Sequence, residues 1–395
     1  MQFNAVLSNR EHPEYGVFTE SFPVSRASYD DNIEMIRQLE IGVAVAQDCH
    51  VDEITGDWPV LRLMEHTQVN FDELDYLAQR LDSFDQYEKA QFQGMAAKLE
   101  LHDVRELINL TFCCQDATVI TDFSELDIAG RRHYMTLNGG GASPDELKKL
   151  DARAFAEELI DYNIGYVTHF GVVYPNGMEM PELYDGRHFP KYRYEDCVME
   201  VEMSSRHTPA DSPATYIYLP MTQVQIERAM LRAGVDSYAD MRLRFLESEL
   251  PDAIDIALDM EHESIGDINE MCSAIQALSR EDRTKLGVVV SFAKPEYASQ
   301  IKHLAENLEL FDFAPGVQTP EDYGRYMIQE SGHFDYDTNL DEYYDYARYG
   351  RERMDSEQGF FGDGGYVAYH GTLSIDELMM DDSAQEQGME MGGMK

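Results

Sequence analysis

The chain has 395 residues, with 31 Lys+Arg against 75 Asp+Glu and a formal net charge of −44. At 43% hydrophobic and 11% aromatic it has the apolar material for folded cores, which excludes a disordered acidic chain. Such a charge also excludes direct binding to nucleic acid or to an anionic membrane, and it favours a basic partner surface.

The five cysteines, Cys49, Cys113, Cys114, Cys197 and Cys272, follow no CxxC spacing. No apolar run approaches the roughly 18 residues of a membrane span. The first residues, MQFNAVLSNREHPEYG, have neither a basic start nor an apolar stretch after it. These features predict a cytoplasmic protein with reduced thiols.

In chain order, Phe3, Ala5 and Leu7 alternate with polar residues and predict a strand, and Tyr15–Phe22 predicts a second. Pro23 breaks the chain. Ser28–Leu39 then reads as a helix with Ile33, Ile36 and Leu39 on one face. From Asp72, Leu74, Leu77, Leu81 and Phe84 keep a helical period, and Val104, Leu107 and Leu110 begin another run. Asp72, Glu73, Asp75, Asp82, Asp85 and Glu88 decorate the first of these, largely off its apolar stripe. Ser143-Pro144-Asp145-Glu146 has the chemistry of a helix start, with Ser as cap and Glu placed for a capping box. Further on, Val198–Met203 and Thr215–Leu219 read as strands, and Thr222–Ala233 as a helix carrying Ile226 and Met230. Thr319-Pro320-Glu321-Asp322 repeats the helix-start chemistry. The end of the chain, from about Ser374, lacks aromatic residues and is expected to be disordered.

Much of this list occurs twice. At an offset of 194 residues, Leu74, Leu77, Leu81 and Phe84 fall on Ile268, Met271, Ile275 and Leu278. Gly130-Arg131 falls on Gly324-Arg325, and DARAFAEE from Asp151 on DYARYGRE from Asp345. Near the N-terminus the offset reads as 197, pairing Phe22-Pro23-Val24 with Leu219-Pro220-Met221. Near the end it reads as 200, pairing Gly165-Tyr166-Val167 with Gly365-Tyr366-Val367. Such self-similarity predicts tandem copies. The expected fold is α+β and elongated, with two copies of a small antiparallel α/β piece followed by helical acidic pieces. Residues 1–195 would be the first copy (1–70 α/β, 71–135 helical, 136–195 mixed). Residues 196–375 would be the second (196–265, 266–330 and 331–375), with 376–395 as the tail.

Several constellations carry a bland reading. Gly139-Gly140-Gly141 lacks a following GK[ST] and reads as a loop rather than a phosphate cradle. Asp335-Tyr-Asp337-Thr-Asn339-Leu-Asp341 begins like an EF-hand, but Leu340 and Tyr346 stand where Gly and Glu are required. Glu261-His262-Glu263 and Asp48-Cys49-His50 have no partners at metal-site spacing. No catalytic motif, metal set or cofactor fingerprint emerges, and the expectation is a non-enzyme with no cofactor.

The remaining signal is the recurrence of acids: Asp82, Asp85, Glu88; Glu100, Asp103, Glu106; Glu247, Glu249, Asp252, Asp255, Asp259; Asp335, Asp337, Asp341, Asp345. Acids three or four apart on one helix face sit about 5–6 Å apart, close to the phosphate spacing of a DNA strand, and repel one another. Together with Asp72, Glu73 and Asp75 they are the candidate phosphate-mimicking residues. A merely solvated acidic surface is the competing reading. Tyr343, Tyr346 and Tyr349, at helical spacing, read as a packing or interface stripe.

DYGRYMIQES at Asp322–Ser331, DEYYDYARYGRERM at Asp341–Met354 and GYV at Gly365 resemble the C-terminal signature of ArdA antirestriction proteins. In that family a GR-Y helix is followed by an acidic, tyrosine-bearing YGR segment. LDYLAQRLDSFDQYEKAQFQGM at Leu74–Met95 is similar to the family's central region. The first copy keeps Gly130-Arg131 and the weaker LDARAFAEEL at Leu150–Leu159. The resemblance implies a cofactor-free DNA mimic that occupies the DNA-binding site, the specificity/methyltransferase core, of a Type I restriction-modification enzyme. It implies protection of incoming mobile-element DNA, as in conjugation, and a dimeric habit. A doubled chain would meet that habit as a pseudo-dimeric monomer or as a homodimer. An acidic adaptor for another basic DNA-processing protein is the alternative.

Overall fold

The computed structural model describes residues 2–380. Two compact units emerge, one made of Met1–Tyr194 with Thr222–Gly234, the other of Glu195–Met221 with Val235–Lys395. The fold class is α+β, with four small antiparallel sheets.

The first unit opens with β1 (Phe3–Ser8), β2 (Val17–Phe22), α1 (Tyr29–Gln38), β3 (Cys49–Gly56) and β4 (Gln68–Val69). Their sheet runs in the order β2-β1-β3-β4. Alternation on β1 buries Phe3, Ala5 and Leu7, as the period of two requires. Then come α2 (Phe71–Asp82), α3 (Gln86–Leu99), α4 (Val104–Leu110), β5 (Thr118–Ile120), α5 (Leu126–Leu137), α6 (Pro144–Lys149), α7 (Ala152–Tyr162), β6 (Tyr166–Thr168) and β7 (Gly171–Tyr174). The last sheet has the order β5-β7-β6. After β7 a long segment without helix or strand is held down by aromatic rings. Tyr184 is fully buried, and Phe189 stacks between Tyr76 and Tyr184 at centroid distances of 4.6 and 5.0 Å.

The second unit opens with β8 (Met199–Ser205) and β9 (Thr215–Leu219). The chain then enters the first unit for α8 (Gln223–Ala233) and returns for β10 (Met241–Ser248), giving the sheet β10-β8-β9. There follow α9 (Asp252–Ala257), α10 (Ile265–Gln276), α11 (Arg280–Ala293), α12 (Ala298–Glu306), β11 (Phe311–Pro315), α13 (Pro320–Gln329), α14 (Tyr346–Met354), β12 (Gln358–Gly362), β13 (Gly365–Tyr369) and α15 (Ile375–Leu378). The closing sheet is β11-β13-β12. Ser374 caps α15 through a capping box with Glu377. The expected disordered tail therefore begins with a helical turn, and 381–395 lie outside the described residues.

The order of elements in the second unit repeats that of the first, and the repetition reaches individual hydrogen bonds. Asn70 caps α2 and Ser264, 194 residues on, caps α10; Asp85 caps α3 and Ser279 caps α11. Asp75 accepts the backbone N–H of Val24 at 2.7 Å, and Asn269 accepts that of Met221 at the same distance. Glu100 and Lys294, again 194 apart, are both left-handed with φ of 53° and 54°.

At the end of the chain the structure corrects the sequence reading. Gly165-Tyr166-Val167 leads into β6 and includes its first two residues, whereas Gly365-Tyr366-Val367 starts β13, so the 200-residue pairing is wrong. Gly171 is the counterpart of Gly365: Ile120 pairs with Val172 and Ala314 with Tyr366. A Cβ on Gly171 or Gly365 would meet the carbonyl oxygen of Ile120 or Ala314 at 2.7 and 2.4 Å. The offset stays at 194. The GYV match misled because two short hairpin strands of similar composition lie six residues apart.

Candidate protein-binding surface

Helix α2 places the first three candidate acids, and it places them inside. Phe71 to Ala78 are all buried, because α2 is packed on nearly every side. Burial works to raise the Asp72 carboxyl, but Arg228 first and then Arg232 outweigh it and hold it below its ordinary value of 3.8. Arg228 donates from Nη2 to Asp72 Oδ2 at 2.9 Å and Tyr29 donates its hydroxyl to Oδ1 at 2.7 Å. Arg232 donates to Asn70 Oδ1 at 2.6 Å and to Asp72 Oδ2 at 3.2 Å. Its guanidinium lies 4.2 Å from the Phe189 ring centre. Glu73 accepts the Tyr184 hydroxyl at 2.6 Å, and burial raises its pKa. Asp75 holds the Val24 amide. None of the three can reach a partner's cations, so Asp72, Glu73 and Asp75 leave the candidate set as structural residues.

The other candidates lie at or near the surface, yet not along helix faces. Asp82 ends α2 and accepts the Tyr194 hydroxyl at 2.9 Å. Asp85 is the cap of α3, accepting the N–H groups of Tyr87 and Glu88 at 2.7 and 2.8 Å, while Glu88 reaches back to the Asp85 amide. Glu100 follows α3. Asp103 caps α4, accepting the Arg105 N–H at 2.8 Å, and Glu106 lies within that helix. Glu247 is on β10 and Glu249 just beyond it. Asp252 opens α9, and Asp255 within it is half-buried, its pKa raised by that burial, and takes the Ser248 hydroxyl at 2.7 Å. Asp259 pairs with His262, 2.8 Å away, which draws its pKa down.

Asp335 is in a loop. Asp337 caps the 3-10 turn Thr338–Tyr343, and Asp345 caps α14. Asp341 accepts the Tyr346 and Tyr336 hydroxyls and the Gln329 amide, and those hydroxyls lower its pKa. Tyr343 stands before α14 and is exposed while Tyr346 is buried, so the three tyrosines do not form one stripe.

The acid spacing of three thus reflects capping more than helix faces: a short Asp side chain reaches the N–H groups two and three residues on. Capping also fixes these carboxylates in place, which lowers the ordering cost of meeting a partner. It further separates charge from structure experimentally. Asp85→Asn, which keeps an acceptor for the cap, is expected to hold stability within about 0.5 kcal/mol, while Asp85→Ala loses about 1 kcal/mol. Urea unfolding of the two variants checks this.

The glycine-arginine pairs mark where helices touch. Helix α5 packs on α7, and α13 on α14. A Cβ on Gly130 would lie 1.7 Å from the Ala152 carbonyl oxygen, and one on Gly324 2.1 Å from that of Tyr346. Gly350 is as tight, 1.7 Å from the Pro320 oxygen. Arg325 covers the Tyr346 ring at 4.4 Å. Residues 214–368, which run from β9 into β13 and contain these glycines, match the family model of the antirestriction protein ArdA.

This segment belongs to the ArdA family. A search of the curated proteins finds no match to the chain. The ArdA segment carries Gly324, Arg325 and Tyr346–Gly350 as one packed helix pair, so its motif is first a packing motif. The match supports an antirestriction protein. Among the described residues no helix is long and apolar enough to cross a membrane.

Sequence reasoning missed Arg228 and Arg232. Their signal was two arginines four apart, interleaved with Ile226, Ala229, Met230 and Ala233 on a helix otherwise built for burial.

Proposed function

We propose that this chain is a non-catalytic DNA mimic that occupies the DNA-binding site of a Type I restriction-modification enzyme and protects incoming mobile-element DNA. The observation that carries the reading is an ArdA segment within a chain of net charge −44 whose surface carboxylates are held by helix caps. That charge equals the phosphates of roughly 22 base pairs. The mimicking set is Asp82, Asp85, Glu88, Glu100, Asp103, Glu106, Glu247, Glu249, Asp252, Asp255, Asp259, Asp335, Asp337, Asp341 and Asp345. Carboxylates meet the enzyme's Lys and Arg, and bound ions are released, so affinity falls steeply with salt.

Residues 1–195 and 196–375 act in this reading as two ArdA-like copies, so that one chain stands in for a dimer. The shared 194-residue register of caps and close-packed glycines supports it.

The test is ATP-dependent cleavage of unmodified plasmid by a Type I complex with increasing amounts of the protein. Inhibition at stoichiometric amounts is expected, whereas full cleavage at large excess refutes the proposal. Any single Asp→Asn change in the set is expected to weaken inhibition by less than about 1 kcal/mol. A much larger loss at one position would indicate a specific site in place of a distributed field.

A further inference from the structure

Strand β6 lies at the edge of its sheet, pairing only through β7. Around it the first unit exposes Tyr162 (82%), Ile164 (84%) and Val167 (85%), with Tyr166 partly covered by Lys98. This is the densest run of exposed large apolar side chains among the described residues. At the 194-residue register the same positions in the second unit are Ser356, Gln358 and Phe361. There the apolar residues are covered: Phe360 stacks on Phe292 at 5.7 Å and Phe361 packs on Tyr366 at 4.9 Å. The exposure is therefore particular to the first unit and is not a property of the repeated fold.

An unpaired edge strand with exposed apolar side chains is a template for another strand, and natural proteins ordinarily blunt such edges. The end of α7 beside this one supplies only acids at the surface, Glu157, Glu158 and Asp161. Carboxylates so placed repel a second copy of a chain of net charge −44 and attract a basic one.

We propose that β6 is a docking edge for an extended segment of the restriction complex, apolar where it meets Ile164 and Val167 and flanked by Lys or Arg. The inference rests on the proposed function and adds to it a contact that salt does not screen. Electrostatic mimicry alone gives an affinity that vanishes at high salt; an apolar strand contact persists there.

The experiment measures the affinity of the full chain for a purified Type I restriction complex across a salt series. The wild type is compared with Tyr162→Ser/Ile164→Gln/Val167→Thr, which introduces at the first two positions the residues of the second unit. These side chains are exposed, so circular dichroism and melting are expected to be unchanged. The expected result is roughly a tenfold or greater loss of affinity at every salt concentration with an unaltered salt slope. Equal affinity of variant and wild type overturns this inference and leaves the mimic reading intact. So does light scattering that finds the wild type at twice the chain mass and the variant at the chain mass, with affinity unchanged. Absence of wild-type binding overturns both.

Discussion

Arg228→Ala is expected to destabilise the first unit by about 3–5 kcal/mol, the ordinary cost of stripping one partner from a buried ion pair. The side chain donates from Nε to both oxygens of Asp72 at 3.2 and 3.1 Å, from Nη2 to Oδ2 at 2.9 Å, and from Nη1 to the Gly42 carbonyl at 2.6 Å. Alanine leaves the Asp72 carboxylate buried with Arg232 and the Tyr29 hydroxyl alone. Arg228→Lys is not a conservative rescue, because an ammonium cannot meet both oxygens and the carbonyl in one plane. Asp72→Asn/Arg228→Met, which removes both charges, is expected to recover most of the loss.

The pH dependence follows from the same site. The native Asp72 pKa lies below the ordinary 3.8, so its contribution is complete above that value. The contribution drains away as pH falls through the native pKa, where the unfolded chain already holds the proton. Urea unfolding at pH 7 and near pH 3 checks both points. The wild type is expected to lose more stability than the double variant over that interval.

Gly324→Ala is expected to part α13 from α14 and cost the second unit at least about 2–3 kcal/mol. The atoms a Cβ would meet, the Tyr346 oxygen at 2.1 Å and the Gly350 nitrogen at 3.0 Å, are backbone and cannot swing aside. Gly266→Ala is the control: it lies in α10 at negative φ, and its Cβ would meet nothing nearer than the Ser264 hydroxyl at 3.7 Å. That change is expected to be neutral or slightly stabilising. Near-ultraviolet dichroism reports the tyrosines around α14, and its loss in Gly324→Ala but not in Gly266→Ala is the expected pattern. An unchanged melt for Gly324→Ala would refute the packing account of the ArdA motif.

What was legible in the sequence was local. The alternation of Phe3, Ala5 and Leu7 and the caps at Ser143 and Thr319 each depend on neighbours a few residues away, and each forms as read. Strands β5, β6 and β7 are only three or four residues long, too short for alternation to show against a hydrophobic background. Asp72 was misread for a different reason. Its partner Arg228 is 156 residues away in sequence, and an acid off a helix's apolar stripe looks solvated until a second helix covers it. Asp85 and Glu88 carry the spacing of a helix face and of a capping box alike, and only the break after Asp82 decides between them. The exposed run at Tyr162–Val167 was read as part of a repeat motif because apolar letters do not reveal which side of a strand is left uncovered.

The most direct test of mimicry is displacement of a labelled duplex from the DNA-binding core of a Type I enzyme as this protein is added, repeated at several salt concentrations. The account predicts full, competitive displacement, with an affinity that falls steeply as salt rises. Duplex that stays bound while the protein binds alongside it would contradict the account and assign the acidic surface to a different face of its partner.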